Sequence, residues 1–109
     1  MTNELRKYEI EDFIQKLLAY DISLETLVKK TPKSKKLKGQ YMDIAKKVSE
    51  NSELVDKVNN LKTLPIKEIL EFSSLNRKKI ERGRIYILSM IVIYIGDFNY
   101  IRDYISGVI

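Results

Sequence analysis

Residues Leu64–Tyr104 read LPIKEILEFSSLNRKKIERGRIYILSMIVIYIGDFNYIRDY, and this stretch decides the fold. Ile66, Ile69 and Leu70 recur at helical spacing and predict a short amphipathic helix. Thr63 or Leu64 is expected at its cap and Pro65 at its first helical position, where a missing N–H does no harm. The helix should fray at Phe72-Ser73-Ser74. A second helix is expected from Asn76 to Ile95, about 30 Å long. It opens with five basic residues among the eight from Arg77 to Arg84 and continues as an almost unbroken apolar rod. The β-branched run from Ile85 to Ile95 continues the helical pattern, and its length favours helix over strand. That run is also well short of the ~20 residues a membrane span needs, so it reads as a buried helix. Gly96 is expected to stop it in a left-handed conformation. Asp97 or Asn99 would then cap a last short helix carrying Tyr100, Tyr104 and Ile105.

Upstream the pattern is helical throughout. Leu5, Tyr8, Phe13, Ile14, Leu17 and Leu18 define a first amphipathic helix reaching about Tyr20. Ser23 is expected to N-cap a short helix with Leu24, Leu27 and Val28, which Thr31-Pro32 ends. Leu37, Tyr41, Ile44, Ala45 and Val48 share one face of a third helix. Asn51-Ser52 breaks it, and Ser52 is expected to cap a fourth with Leu54, Val55, Val58 and Leu61. With only 4 Gly and 2 Pro there is little punctuation for a many-turned β fold. The expectation is therefore an all-α domain of about six to seven helices ending in a helix-turn-helix. A single domain over 1–109 is expected, with an N-terminal helical part at 1–62 and the helix-turn-helix and last helix at 63–109.

The net charge is +5, and its distribution says more than its size. Lys29–Lys38 holds six lysines and no acid, and Arg77–Arg84 carries five basic residues against Glu81. Basic foci on a mildly acidic body point to a polyanionic partner. Absence of Cys removes disulfides and thiolate metal sites and fits a reducing cytoplasm. Absence of His removes the usual general base and metal ligand. No phosphate loop or nucleophile elbow is present. The carboxylates Glu9, Glu11 and Asp12, like Glu68 and Glu71, read as solvated helix faces. No enzyme, cofactor, metal site or small-molecule substrate is expected.

A helix-turn-helix reads DNA when its second helix is apolar inside and free outside near its N-terminus. Ile80, Ile87, Leu88 and Ile91 supply the inner stripe, Leu75 tucks inward from the turn, and Asn76 can cap. The candidate DNA-binding residues are Asn76, Arg77, Lys78, Lys79, Glu81, Arg82 and Arg84. Arg can bind guanine through paired hydrogen bonds and Glu can accept from cytosine N4, whereas flanking Lys and Arg suit phosphates. A cationic cluster at a helix start opposes the helix dipole, a conflict that a bound polyanion would relieve. Lys33, Lys35 and Lys36 are possible phosphate contacts; solvated loop and partner contact stay open for the same run. Gly83, in mid-helix, calls for another helix packing closely, for a DNA backbone, or for neither. A solvated basic face is the plain alternative to DNA reading. A helical module that docks an acidic protein partner without touching DNA is the other.

These residues resemble the C-terminal region of the sigma-I-type alternative sigma factors of Bacillus and Clostridium relatives. The resemblance rests on Leu64-Pro65, on Asn76-Arg77-Lys78-Lys79-Ile80-Glu81-Arg82, on Arg84-Ile85-Tyr86-Ile87 and on Gly96-Asp97-Phe98-Asn99-Tyr100. The upstream run IEDFIQKLLAYDISLETLVKKTPKSKK, Ile10–Lys36, is similar too. Two positions depart: Gly83, where the family carries a larger polar residue, and Asn76, where Ser is common. The resemblance implies recognition of the −35 element of double-stranded promoter DNA. It implies partnership with RNA polymerase core through a full-length factor, whose polymerase-binding region this chain would lack. It further implies a membrane-anchored anti-sigma partner of the RsgI type and, in cellulose-degrading clostridia, a link to polysaccharide sensing.

Overall fold

The computed structural model describes residues 2–96 and 98, with side chains from Glu4 onward. Seven helices and no strand occur among them: α1 (Thr2–Leu18), α2 (Leu24–Lys30), α3 (Lys35–Ser49), α4 (Ser52–Leu61), α5 (Ile66–Phe72), α6 (Arg77–Arg82) and α7 (Arg84–Ile95). The expected last helix, with its caps Asp97 or Asn99 and with Tyr100, Tyr104 and Ile105, lies outside the described residues.

Capping chemistry sets most of the starts. Ser23 Oγ accepts from the Thr26 N–H at 3.0 Å, and Ser34 Oγ from the Leu37 N–H at 3.2 Å. Asn51, not Ser52, caps α4, its Oδ1 accepting from the N–H groups of Glu53 and Leu54. Asn and Ser cap about equally well, and here the asparagine takes the extended backbone the cap requires. At α5 the boundary falls one residue later than expected: Pro65 is the cap, without a side-chain bond, and Ile66 opens the helix. Pro65 lacks an N–H, so the helix loses no donor by this shift.

The core is built around α7. Every residue from Tyr86 to Ile93 is buried, so this helix is apolar all round and enclosed by α1, α2 and α3. Its one small polar residue, Ser89, donates its hydroxyl back to the Ile85 carbonyl at 2.8 Å. No helix among the described residues is long and apolar enough to cross a membrane. Phe13, Leu17, Ile22 and Leu27 share one buried core with α7 and with Tyr41, Ile44, Ala45 and Val48 of α3.

Some apolar positions assigned to inner faces prove exposed. On α1 the buried stripe runs through Glu9, Phe13 and Leu17, while Leu5, Tyr8 and Leu18 face solvent. Glu9, expected on a solvated face, is only 8% exposed: the helix is rotated so that Phe13 and Leu17 reach α7, and Glu9 one turn earlier turns in with them. Glu68, expected to be solvated, instead forms an ion pair with Lys57 that links α5 to α4.

Gly96 stops α7 for a reason other than handedness. Its φ of −86° and ψ of 167° are ordinary extended backbone, not the left-handed stop expected. Space is what demands glycine: a Cβ here would overlap the Phe98 ring, with Cδ2 at 2.6 Å. Phe98 folds back over the end of α7 and meets Phe13 edge-on, ring centres 5.5 Å apart.

The expected single helix Asn76–Ile95 is two helices. Gly83 interrupts it with φ −92° and ψ 7°, between α6 and α7. Its N–H still bonds the Lys79 and Ile80 carbonyls, each at 3.1 Å, and its carbonyl still accepts from Ile87 at 2.8 Å. The chain therefore bends at Gly83 while keeping its local hydrogen bonds.

Candidate nucleic-acid interface

α5, the turn and α6 form the helix pair expected from the sequence. The turn is pinned by Ser73, whose Oγ accepts from the Leu75 N–H at 3.1 Å, and by Leu75, which is buried. Asn76 Oδ1 accepts from the Lys79 N–H at 2.9 Å and so caps α6 as expected. With that oxygen engaged, only the two amide N–H groups of Asn76 remain for an outside acceptor.

α6 turns one residue inward. Ile80 is fully buried, whereas Arg77, Lys78, Lys79, Glu81 and Arg82 are exposed, as is Arg84 just past the bend. The Arg77 guanidinium lies 3.6 Å from the Glu81 carboxylate, one turn along, with both side chains about half exposed. Pairs of this kind contribute little stability in water. This one leaves Lys78, Lys79, Arg82 and Arg84 as net positive charge on the outer face.

The back of α6 is held by α3. The Tyr41 hydroxyl donates to the Lys79 carbonyl at 2.6 Å, across 38 residues of sequence. Its ring lies against Gly83 so closely that a Cβ there would overlap it, with Cε2 at 2.5 Å. This accounts for Gly83: the close neighbour is a helix of the same chain. Burial pushes the Tyr41 phenol above its ordinary value, against a smaller downward pull from Arg82. The hydroxyl thus stays a donor across the physiological range.

α3 also brings part of the lysine run to the same face. Lys36, Ser34, Leu37 and Gln40 line a shallow depression of about 290 Å³ together with Lys79 of α6. Lys36 and Lys79 are thereby united on one surface, while Lys33 and Lys35 sit exposed in the preceding loop and at the first residue of α3. Gln40 carries no signal in the sequence for this surface. Tyr41 carried only the signal of a core position, and nothing in the sequence pairs it with a carbonyl at Lys79.

No protein-family model matches the chain, and no solved structure matches it. Curated relatives do. It is 38% identical over 104 residues to RNA polymerase sigma factor SigI7 of Acetivibrio thermocellus, which covers 95% of this chain and 44% of that protein. It is 35% identical over 106 residues to RNA polymerase sigma factor SigI of Bacillus subtilis, covering 97% of this chain and 42% of that one. The chain is a homologue of the SigI-type RNA polymerase sigma factors. A further relative is the SigI of Bacillus anthracis, 33% identical over 96% of this chain. The chain spans less than half the length of these relatives. The resemblance carried by the Leu-Pro, Asn-Arg-Lys and Gly-Asp motifs is thus matched by similarity over nearly the whole chain.

Proposed function

We propose that this chain is the −35-reading part of a SigI-type sigma factor, directing RNA polymerase to a specific promoter set. The observation that carries the reading is α6. It is a capped basic helix with a single inward anchor, every other side chain exposed, and a depression holding Lys36 and Lys79 beside it. In this reading α6 enters the major groove. Arg77, Lys78, Glu81 and Arg82 face base edges, and Lys79 and Arg84 grip phosphates. Asn76 sets the start of the helix and offers its amide N–H groups. Lys33, Lys35 and Lys36 hold the backbone on the flank. Residues 1–62 support the reader, 63–109 carry it, and the two form one domain.

The remaining parts follow from the family. A region outside this chain would engage polymerase core and the −10 element. A membrane-anchored RsgI-type anti-sigma factor would hold the protein inactive in the cytoplasm until a stress or polysaccharide signal arrives. Neither catalysis nor a cofactor or small-molecule substrate enters this reading.

The test is a titration of promoter duplexes and scrambled −35 controls with the chain, alone and within holoenzyme. Arg77→Ala or Arg82→Ala should cost about 1–3 kcal/mol on the preferred duplex if the side chain reads a base. Isolated affinity is expected to be weak, because in the holoenzyme other contacts raise the effective concentration of α6 at its site. Sequence preference that survives replacement of Arg77, Lys78 and Arg82 together sinks the proposal. It would put DNA reading elsewhere than α6, whereas an unchanged chain with no preference for promoter over scrambled duplex would be left as a module that binds protein partners.

A further inference from the structure

We propose that Tyr41 is a positioning residue for DNA reading: from α3 it fixes the angle and register of α6 through its bond to the Lys79 carbonyl and its ring against Gly83. The inference rests on α6 being the reading helix. α6 has six residues, too short to be stable alone, and Gly83 interrupts the regular helix between it and α7. Its orientation must then come from packing. Ile80 anchors it, and Leu75 holds the turn before it. Each fixes a point but leaves rotation about that point.

Tyr41 supplies the missing constraint near the C-terminal end. Its hydroxyl grips the last turn of α6 at 2.6 Å, and its ring occupies the space at the bend that any side chain at position 83 would need. The same ring leans on Tyr86 of α7, centres 6.3 Å apart and planes at 45°, so it touches α6, the bend and the core rod together. Tyr41 also lies one turn along α3 from Leu37, and α3 carries Lys36 beside Lys79. One residue therefore sets both how α6 points and how far its base-facing side lies from the flanking lysine. Base readout tolerates little misplacement, whereas phosphate attraction tolerates a good deal. Loosening Tyr41 should accordingly remove discrimination and spare general affinity.

The experiment compares two duplexes by fluorescence anisotropy: one selected from a randomised pool by the unchanged chain, and a scrambled version. Tyr41→Phe keeps the ring and removes the hydroxyl. Its preference for the selected duplex should fall about tenfold, roughly the worth of one good base contact. Its affinity for the scrambled duplex and its salt dependence should stay unchanged. Gly83→Ala displaces the ring with the hydroxyl retained and should produce the same pattern. Val48→Ala, a buried α3 position two turns away, serves as a destabilised control and should keep its preference. The proposal is overturned if Tyr41→Phe keeps its preference to within about twofold, or if Val48→Ala loses as much. An unchanged chain that selects no sequence removes DNA reading itself, and this inference with it.

Discussion

Tyr86 and Tyr41 are neighbours, yet removing their hydroxyls should move stability in opposite directions. The Tyr86 ring is fully buried in α7, and among the described residues its hydroxyl has no hydrogen-bond partner. A buried hydroxyl without a partner costs about 1–3 kcal/mol relative to a paired or hydrated one. Tyr86→Phe deletes that oxygen, leaves the ring and opens a gap smaller than a methyl group. We expect a gain of about 1–2 kcal/mol. The entropy of unfolding of a chain this size is roughly 0.23 kcal/mol per kelvin, so the melting temperature should rise about 4–9 °C. Tyr41→Phe breaks a 2.6 Å bond and leaves the Lys79 carbonyl with the Gly83 N–H alone, so it should lose about 1 kcal/mol and melt about 4 °C lower. Circular dichroism melts at neutral pH decide both. Alkaline pH gives a second reading. Burial pushes the Tyr86 phenol from 10.0 to about 12, with Tyr94 adding to it. The unfolded chain therefore ionises first. The stability tied to Tyr86 is fully present below pH 10 and lost as pH rises through about 12. Tyr86→Phe should lack that part of the alkaline loss. A Tyr86→Phe chain that melts below the unchanged one would mean the hydroxyl is satisfied, and the reasoning would be wrong.

Two further outcomes can be checked on the same surface. Asn76→Ala removes the cap bond to Lys79 and should destabilise the chain by about 1 kcal/mol, read by urea denaturation with an unchanged slope. Lys36→Ala with Lys79→Ala should flatten the dependence of log affinity on log salt by about 1.8 if each lysine neutralises one phosphate, and should do so equally on preferred and scrambled duplexes.

The helix pair was legible in the sequence because its signals are local. Ile80, Leu75 and the inner stripe of α7 follow from 3.6-residue periodicity, and Asn76 from the chemistry of a cap. The misreadings share a different cause. The close packing at Gly83 comes from Tyr41, 38 residues before the carbonyl it grips, and no periodicity carries a pairing across that distance. Gly96 reads as a left-handed stop until Phe98 is seen folded against it. Leu5 and Tyr8 are apolar but exposed, while Glu9 is charged and buried, because the rotation of α1 is set by where Phe13 and Leu17 meet α7. For the interface, the basic positions themselves were legible; the meeting of Lys36 with Lys79 in one depression was not, since it needs the packing of α3 beside α6.

The bend at Gly83 divides labour along what would otherwise be one rod. Residues 86–93 are committed to the interior, where most substitutions would leave a cavity or a clash. Residues 77–82 owe the interior a single isoleucine. Five adjacent surface positions can therefore change identity without disturbing what lies beneath them, provided Asn76, Ile80 and the backbone carbonyl of residue 79 stay in place. A hexapeptide exchanged between two such chains should transplant a preference for sequence while leaving the melting curve almost where it was.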